Sequence, residues 1–386
     1  MTKSIALALL LGFLSTSAFA QSYNWNGLIL RGASDYSGHF YGGSFVQRAD
    51  GKMLVTYRIK NHAMLSVVDT ESQLLTVSNA SKAQEHAIYK YYTPPDNSRT
   101  VLQRLSNGKI LLYVLEAGVD NVSKKPFRLT VLESENGLGT DFALKSTIYT
   151  QIRTKVTFGA MSIGDPIEIK GRILVPVVVP ALEGGEYDGR LYCAISDDGG
   201  STWTFSQIAS DSWTRAASRG FGVAGDQIII LVQNGYGAGT STMYSHSLDD
   251  IDGSPVVPEN NPVWTAHDSY QQTTIGDMVF SHIFWGGDGY TYFLRDAGFE
   301  GSISGKYFVY RRRGYRAMDF DGQTPYTIGP PGSGATWEGP LNATAYGDDG
   351  TEFFSVTPLG SLAFYGTSNY GGGSISDLFV GVPAAP

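Results

Sequence analysis

Histidine, tyrosine and arginine recur where this sequence breaks between apolar runs. His39 and Tyr41 stand in "GHFYGGSF", Arg58 and His62 in "YRIKNH", Tyr187 in "EGGEYDGR" and Arg219 in "TRAASRGFGV". Gln233 and Tyr236 stand in "LVQNGYG", His282 in "FSHIFW", and Arg295 with Asp296 in "LRDAGF". These residue types suit β-elimination on a uronate. A cation or hydrogen-bond donor neutralises the carboxylate and acidifies the neighbouring C–H, a Tyr or His removes that proton, and a Tyr or His protonates the leaving oxygen. On this reading His39, His282, Tyr187 and Arg219 carry the chemistry. Tyr41, Arg58, His62, Glu116, Gln233, Tyr236, Arg295, Asp296 and Tyr370 hold the substrate, the tyrosines as flat platforms for sugar rings. Two other readings compete. A close carboxylate pair drawn from Glu116, Glu183 and Glu186 would bring back a glycosidase mechanism, and an Arg295–Asp296 surface ion pair would do little.

Residues so far apart in the chain need a scaffold that gathers them. Six segments have the form strand, tight glycine turn, strand: "SFVQRADGKMLVTY", "TVLQRLSNGKILLYVL", "PIEIKGRILVPVVV", "GFGVAGDQIIILVQ", "SHIFWGGDGYTYFL" and "FFSVTPLGSLAFYG". Their turn glycines, Gly51, Gly108, Gly171, Gly225, Gly289 and Gly360, are spaced 57, 63, 54, 64 and 71 residues apart. A hairpin at each is the reading that turn chemistry supports. Weaker strand pairs follow most hairpins, including "PFRLTVLESENGLGTDFALKST" and "GRLYCAISDDGGSTWTFSQIA". Four antiparallel strands in each unit of about sixty residues describe an all-β fold, a single β-propeller of six blades, with seven as the alternative. The last unit is short, and the N-terminal "NWNGLILRGA" is the segment expected to complete it. In such a ring the loops leading into first strands and those joining second to third strands share one face. That face would collect the candidates named above.

One stretch has a structural explanation instead. In "AISDDGGSTWTF", Asp198 can accept hydrogen bonds from its own turn, Gly200 can take a conformation closed to residues with a Cβ, and Trp203 can bury a large apolar surface. The spacing Ser196-x-Asp198-x-Gly200-x-Thr202-Trp203 resembles the Asp box of sialidases and related propellers, between the third and fourth strands of a blade. "SENGLGTDF" at Ser134 to Phe142 is similar to a decayed copy. The resemblance implies a structural corner and a propeller fold. It also implies three carboxylate-gripping arginines, and a tyrosine nucleophile activated by a glutamate. Here His39, Phe40 or Tyr41 stands where the first arginine belongs, Gln233 stands where another belongs, and no glutamate precedes the fourth hairpin. An ordinary exo-sialidase is therefore not expected. The His, Tyr and Arg set is similar in kind to that of propeller polysaccharide lyases, including ulvan lyases. A lyase acting on an acidic polysaccharide is the leading expectation, followed by a glycoside hydrolase of the sialidase-like fold and a non-catalytic glycan-binding propeller.

Composition narrows the rest. Residues 1–20 have a basic start, a short apolar stretch and a small-residue cleavage pattern, which predicts a secretory signal ahead of one propeller domain over 21–386. The chain has one cysteine, so no internal disulfide is expected, and its six histidines show no zinc-binding spacing, so neither a metal nor another cofactor is expected. A net charge of −8 repels nucleic acid. The expected partner is an acidic glycan outside the cytoplasm, met by a monomer with no membrane span.

Overall fold

The computed structural model describes residues 23–24, 28–30, 40–41, 44–59, 62–68, 99–116, 126–152, 162–180, 189–209, 220–233, 240–258, 261–267, 270–271, 280–285, 291–296, 307–312, 326–328, 353–356, 362–369 and 376–383. Strands β1 (Tyr23–Asn24) and β2 (Leu28–Leu30) come first. The first sheet holds β3 (Phe40–Tyr41), β4 (Phe45–Gln47), β5 (Met53–Ile59) and β6 (His62–Val68). The second holds β7 (Arg99–Arg104), β8 (Ile110–Glu116), β9 (Pro126–Ser134) and β10 (Ala143–Ile152). The third is β11 (Ser162–Ile163), β12 (Ile167–Ile169), β13 (Arg172–Pro180), β14 (Gly189–Ser196) and β15 (Thr204–Ala209). The fourth is β16 (Phe221–Ala224), β17 (Gln227–Gln233), β18 (Thr240–Ser247), β19 (Thr265–Ala266) and β20 (Tyr270–Gln271). The fifth is β21 (Phe280–Trp285), β22 (Thr291–Asp296), β23 (Tyr307–Arg312) and β24 (Tyr326–Ile328). Finally β25 (Phe353–Val356), β26 (Leu362–Asn369) and β27 (Ser376–Pro383) form a sheet completed by β1 and β2, both paired with β27. The last sheet thus borrows its outer strand from the N-terminal end, as "NWNGLILRGA" led us to expect.

Each sheet is an antiparallel meander, and the ring closes through its inner strands. β4 packs beside β7, β7 beside β11, β16 beside β21, and β21 beside β25, which returns to β4. A parallel bridge between Asp165 and Gly220 joins the third sheet to the fourth. The fold is a β-propeller, all-β as the hairpin repeat predicts, with six sheets among the described residues.

The turn chemistry explains the hairpins. Gly51, Gly108, Gly171 and Gly225 have φ between +67° and +88°, and no atom lies within 4 Å of where a Cβ would stand. Backbone conformation alone, not lack of room, demands glycine there.

The core lies between sheets. Leu54 and Leu65 of the first sheet pack on Leu102, Ile110, Leu112, Val114, Leu132 and Phe142 of the second. Leu174, Leu191, Cys193, Ile195 and Ile208 of the third meet Phe221, Ile228, Ile230, Ile251 and Trp264 of the fourth. A sheet covered on both faces needs apolar residues at successive positions, not alternate ones. Ile110 to Leu115 on β8 is such a run, buried throughout.

One segment departs from expectation. "TMYSHSLDDIDG" reads as a strand pair, but only β18 forms there. The chain then crosses to the third sheet, where Ser254 exchanges backbone hydrogen bonds with Phe205 at 2.7 and 2.9 Å and Val263 N–H donates to Gln207 O at 3.1 Å. It covers the open edge of β15, and covering such edges prevents unwanted strand pairing.

Candidate functional site

The described hairpin turns, at Gly51, Gly108, Gly171 and Gly225, point one way around the ring, which leaves the starts of their first strands and the ends of their second strands at the opposite face. Ser44 at the start of β4 lies beside Leu102 of β7, and Gln47 at the end of β4 beside Arg104 at the end of β7. Turn residue Ser106 donates to Glu168 near the end of β12, and Val223 near the end of β16 bonds Thr291 at the start of β22.

At the opposite face the backbone register places eight of the predicted residues. Tyr41 faces Arg58, and Ile59 faces His62 across the next pairing, so these three occupy one corner of the first sheet. Glu116 closes β8 opposite Arg128, and Gln233 closes β17 opposite Ser241. Arg295 faces Phe280 on one side and Phe308 on the other, Asp296 faces Tyr307, and His282 faces Leu294. His39, Tyr187, Arg219, Tyr236 and Tyr370 lie outside the described residues, as does the glycine- and proline-rich stretch from Ile328 to Pro340 beyond its first residue.

The same face holds a carboxylate that the sequence places in the loop entering the third hairpin without giving it a role. Asp165, half-buried, lies between β11 and β12 on the inner strand of the third sheet and bridges to Gly220, which leads into β16. The sequence signal was "GDPIEI": an acidic residue before a proline, inside an inner strand. Other reactive groups face elsewhere. The Cys193 thiol is fully buried between the third and fourth sheets, and that burial pushes its pKa far up, unfit for a nucleophile. His246 packs on the Trp264 ring at 5.7 Å and bonds the Ser247 carbonyl, and His267 bonds the Ser245 hydroxyl at 2.8 Å. Among the described residues no three His, Cys, Asp or Glu side chains gather as a metal site would.

The turn from Ser196 to Trp203 lies on the outer part of the third sheet, away from this face. Asp198 accepts from the Ser196 hydroxyl (2.8 Å), the Ser201 and Thr202 N–H groups (2.9 Å each) and the Thr202 hydroxyl (2.7 Å). Ser196 Oγ accepts from Gly200 N–H at 2.7 Å. Trp203, 8% exposed, donates through Nε1 to Ser146 Oγ on β10 at 3.0 Å, and Ser146 donates to Gly200 O at 2.6 Å. Its groups are occupied in holding the third sheet to the second.

No protein-family model matches the sequence, and no curated protein matches it. Solved structures do match by shape. An α-L-arabinanase of Penicillium chrysogenum, solved with arabinobiose, superposes with a TM-score of 0.54 at 12% identity, over 93% of this chain and 98% of that one. The GH93 α-L-arabinofuranosidase of Fusarium graminearum, also with arabinobiose, gives 0.58 at 11%, over 94% and 98%. The Trypanosoma rangeli sialidase bound to the inhibitor DANA gives 0.50 at 13%, over 89% of this chain and 55% of that one. Identities this low speak for architecture alone. The fold of this chain is a β-propeller, shared with these three enzymes.

Proposed function

We propose that this protein is an exported carbohydrate-active enzyme that hydrolyses glycosidic bonds. The observation that carries the reading is the convergence of first-strand starts and second-strand ends on one face. The backbone register that puts Tyr41, Arg58, His62 and Asp165 at that end of their strands supports it, in a fold shared with an arabinanase, an arabinofuranosidase and a sialidase. Hydrolysis needs carboxyl groups flanking a sugar linkage. Glu116, Asp165 and Asp296 stand at that face by backbone position. Elimination rests instead on His39, His282, Tyr187 and Arg219, of which His282 alone lies within the described residues, and none of the three fold relatives is named as a lyase. Hydrolysis therefore displaces the lyase as the leading reading. Arg58 and Arg295 favour a glycan bearing an anionic group.

The mature chain, residues 21–386, should release reducing ends from at least one member of a panel of arabinans, sialosides and uronate polymers, with no rise in the ultraviolet absorbance of unsaturated uronates. Unsaturated products would replace this reading with elimination. Binding without any product would replace it with a glycan-binding module.

A further inference from the structure

Toward the hairpin-turn end of the sheets, cationic side chains are matched with acceptors. Arg48 holds Asp50, Lys109 holds Glu133 and Glu135, Lys145 holds Glu133, Lys170 holds Asp249 and Arg172 holds Asp197. Arg104 donates to the Gln47 carbonyl at 3.2 Å. Arg128 and Arg190 differ. Both are half-buried, and neither guanidinium has an acceptor or a carboxylate partner among the described residues. Carboxylates are not scarce, since the chain has 36 aspartates and glutamates against 28 lysines and arginines.

The two arginines occupy matching places on neighbouring sheets. Arg128 is the third residue of β9 and Arg190 the second of β14. Each follows the loop that arrives from the end of a second strand, β8 or β13, and so lies at the candidate face, away from the hairpin turns. Side chains alternate along a strand, so the core contacts fix which way each points. Leu132 packs on the first sheet, which puts Arg128, four residues before it, over the cleft between the first and second sheets. Leu191 and Cys193 pack on the fourth sheet, which puts Arg190 on the other side of β14, over the cleft between the second and third. The two guanidiniums therefore flank the second sheet, and packed sheets lie about 10 Å apart.

A cation drawn partly out of water without an anion weakens a fold. A guanidinium also presents a planar, rigid fork that grips a flat anion through two parallel N–H···O bonds. Two such forks over clefts of the ligand face are ready for anions from outside the protein. We infer that Arg128 and Arg190 each bind an anionic group of the glycan, a carboxylate or a sulfate, so that one glycan chain lies across the second sheet. The inference rests on the function proposed above and names two residues that make its site selective for acidic polymers. They bind and orient, and no bond is made or broken at them.

The test titrates the full mature chain in a calorimeter with a uronate polymer, with its carboxyl-reduced, neutral form and with a sulfated glycan. Wild type should bind at least one charged polymer, and bind it more weakly as salt rises. Arg128→Gln and Arg190→Gln should each weaken that binding by about 10–100-fold, the range of hydrogen bonds to charged groups. Affinity for the neutral polymer should not change, and the melting temperature should not fall, because no ion pair is lost. Lysine at either position keeps the charge without the fork and should give an intermediate affinity. The polymer whose affinity drops identifies the anion as carboxylate or sulfate. A double variant that binds both charged polymers within about threefold of wild type, far short of the loss expected for two such contacts, overturns the inference. So do equal losses on charged and neutral polymers. If a Gln variant folds poorly the Lys variant decides, and wild-type affinity there overturns the inference. A wild type that cleaves a neutral glycan but binds neither charged polymer overturns this inference alone. One that neither binds nor cleaves any glycan overturns the parent function with it.

Discussion

The turn from Ser196 to Trp203 and the turn from Ser134 to Phe142 occupy the same place in neighbouring sheets, yet they are built from different parts. In the third sheet one carboxylate, Asp198, accepts from four of the donors of its turn. In the second the task is divided: Leu138 N–H donates to Asn136 Oδ1 at 2.7 Å, while the Ser134 hydroxyl donates to the Asp141 carboxylate. In both, a serine oxygen accepts from a glycine N–H, Gly200 at 2.7 Å and Gly139 at 3.0 Å, although the second turn is one residue longer. In both, an aromatic ring follows and is buried, Trp203 or Phe142. A third version closes the fourth sheet with no Ser-x-Asp-x-Gly spacing: Trp264 Nε1 donates to Ser206 Oγ on β15 at 3.1 Å, as Trp203 does to Ser146 on β10. The ring and its serine partner on the preceding blade persist where the carboxylate does not. The load-sharing part is therefore the anchor between blades, and the carboxylate only shapes the turn.

That ranking fixes the order of expected effects. Trp203→Ala empties a site between two sheets and should cost about 3–5 kcal/mol in urea unfolding. Trp203→Phe, which keeps most of the ring and loses the bond to Ser146, should cost about 1 kcal/mol. If the two variants were equally destabilised, the hydrogen bond would outrank the packing and the comparison would invert. Next come the glycines. A Cβ on Gly139 would lie 2.3 Å from Leu54 Cδ2, against 3.3 Å from Leu111 Cδ1 at Gly200. Both have positive φ, +67° and +96°, so both pay a conformational cost of about 1–3 kcal/mol. Only Gly139→Ala adds overpacking against a fully buried leucine, of about 1–3 kcal/mol more. Unfolding midpoints should place Gly139→Ala clearly below Gly200→Ala. The reverse order would show that Leu54 yields easily.

How much of this the sequence reveals depends on the range of the interaction. The six hairpins, the closing N-terminal strand and the Ser196 turn are local patterns, set by turn residues and apolar runs, and they read directly from the chain. The Trp264 anchor escapes such reading because its partner is 58 residues away and the intervening segment, spent covering the edge of β15, has no fixed spacing. The extra residue on the inner strand of the third sheet, where Ile163 faces Val177 and Ile167 faces Leu174, escapes for a different reason. A single extra residue is invisible until two strands are aligned, so Asp165 looks like any acidic loop residue until Ile163 and Ile167 are matched to β13. Of the candidate face, the sequence supplies the residue types and the end of each strand on which they fall. Five of those residues lie outside the described part of the chain, so the register says nothing about how they meet.

The smallest effect separates the carboxylate from the anchor. Burial would raise the pKa of Asp198, but the N–H and hydroxyl of Thr202, the hydroxyl of Ser196 and the N–H of Ser201 outweigh it and hold the group down at about 2. A carboxyl group held lower in the folded state than in the unfolded chain, where it titrates near about 3.9, stabilises the fold fully above that value and stops doing so as pH falls through about 2. Asp198→Asn should therefore cost about 1 kcal/mol at neutral pH, in the range of turn-capping side chains, moderated by the exposure of the group. The gap to wild type should narrow as pH drops from about 4 to about 2, because the wild-type group is then neutral too. Trp203→Ala should show no such narrowing, since apolar packing does not titrate. Urea midpoints of the three proteins along that pH series check both statements. A gap for Asp198→Asn that stays constant down to about pH 2 would mean that the turn is held by its shape and not by its charge.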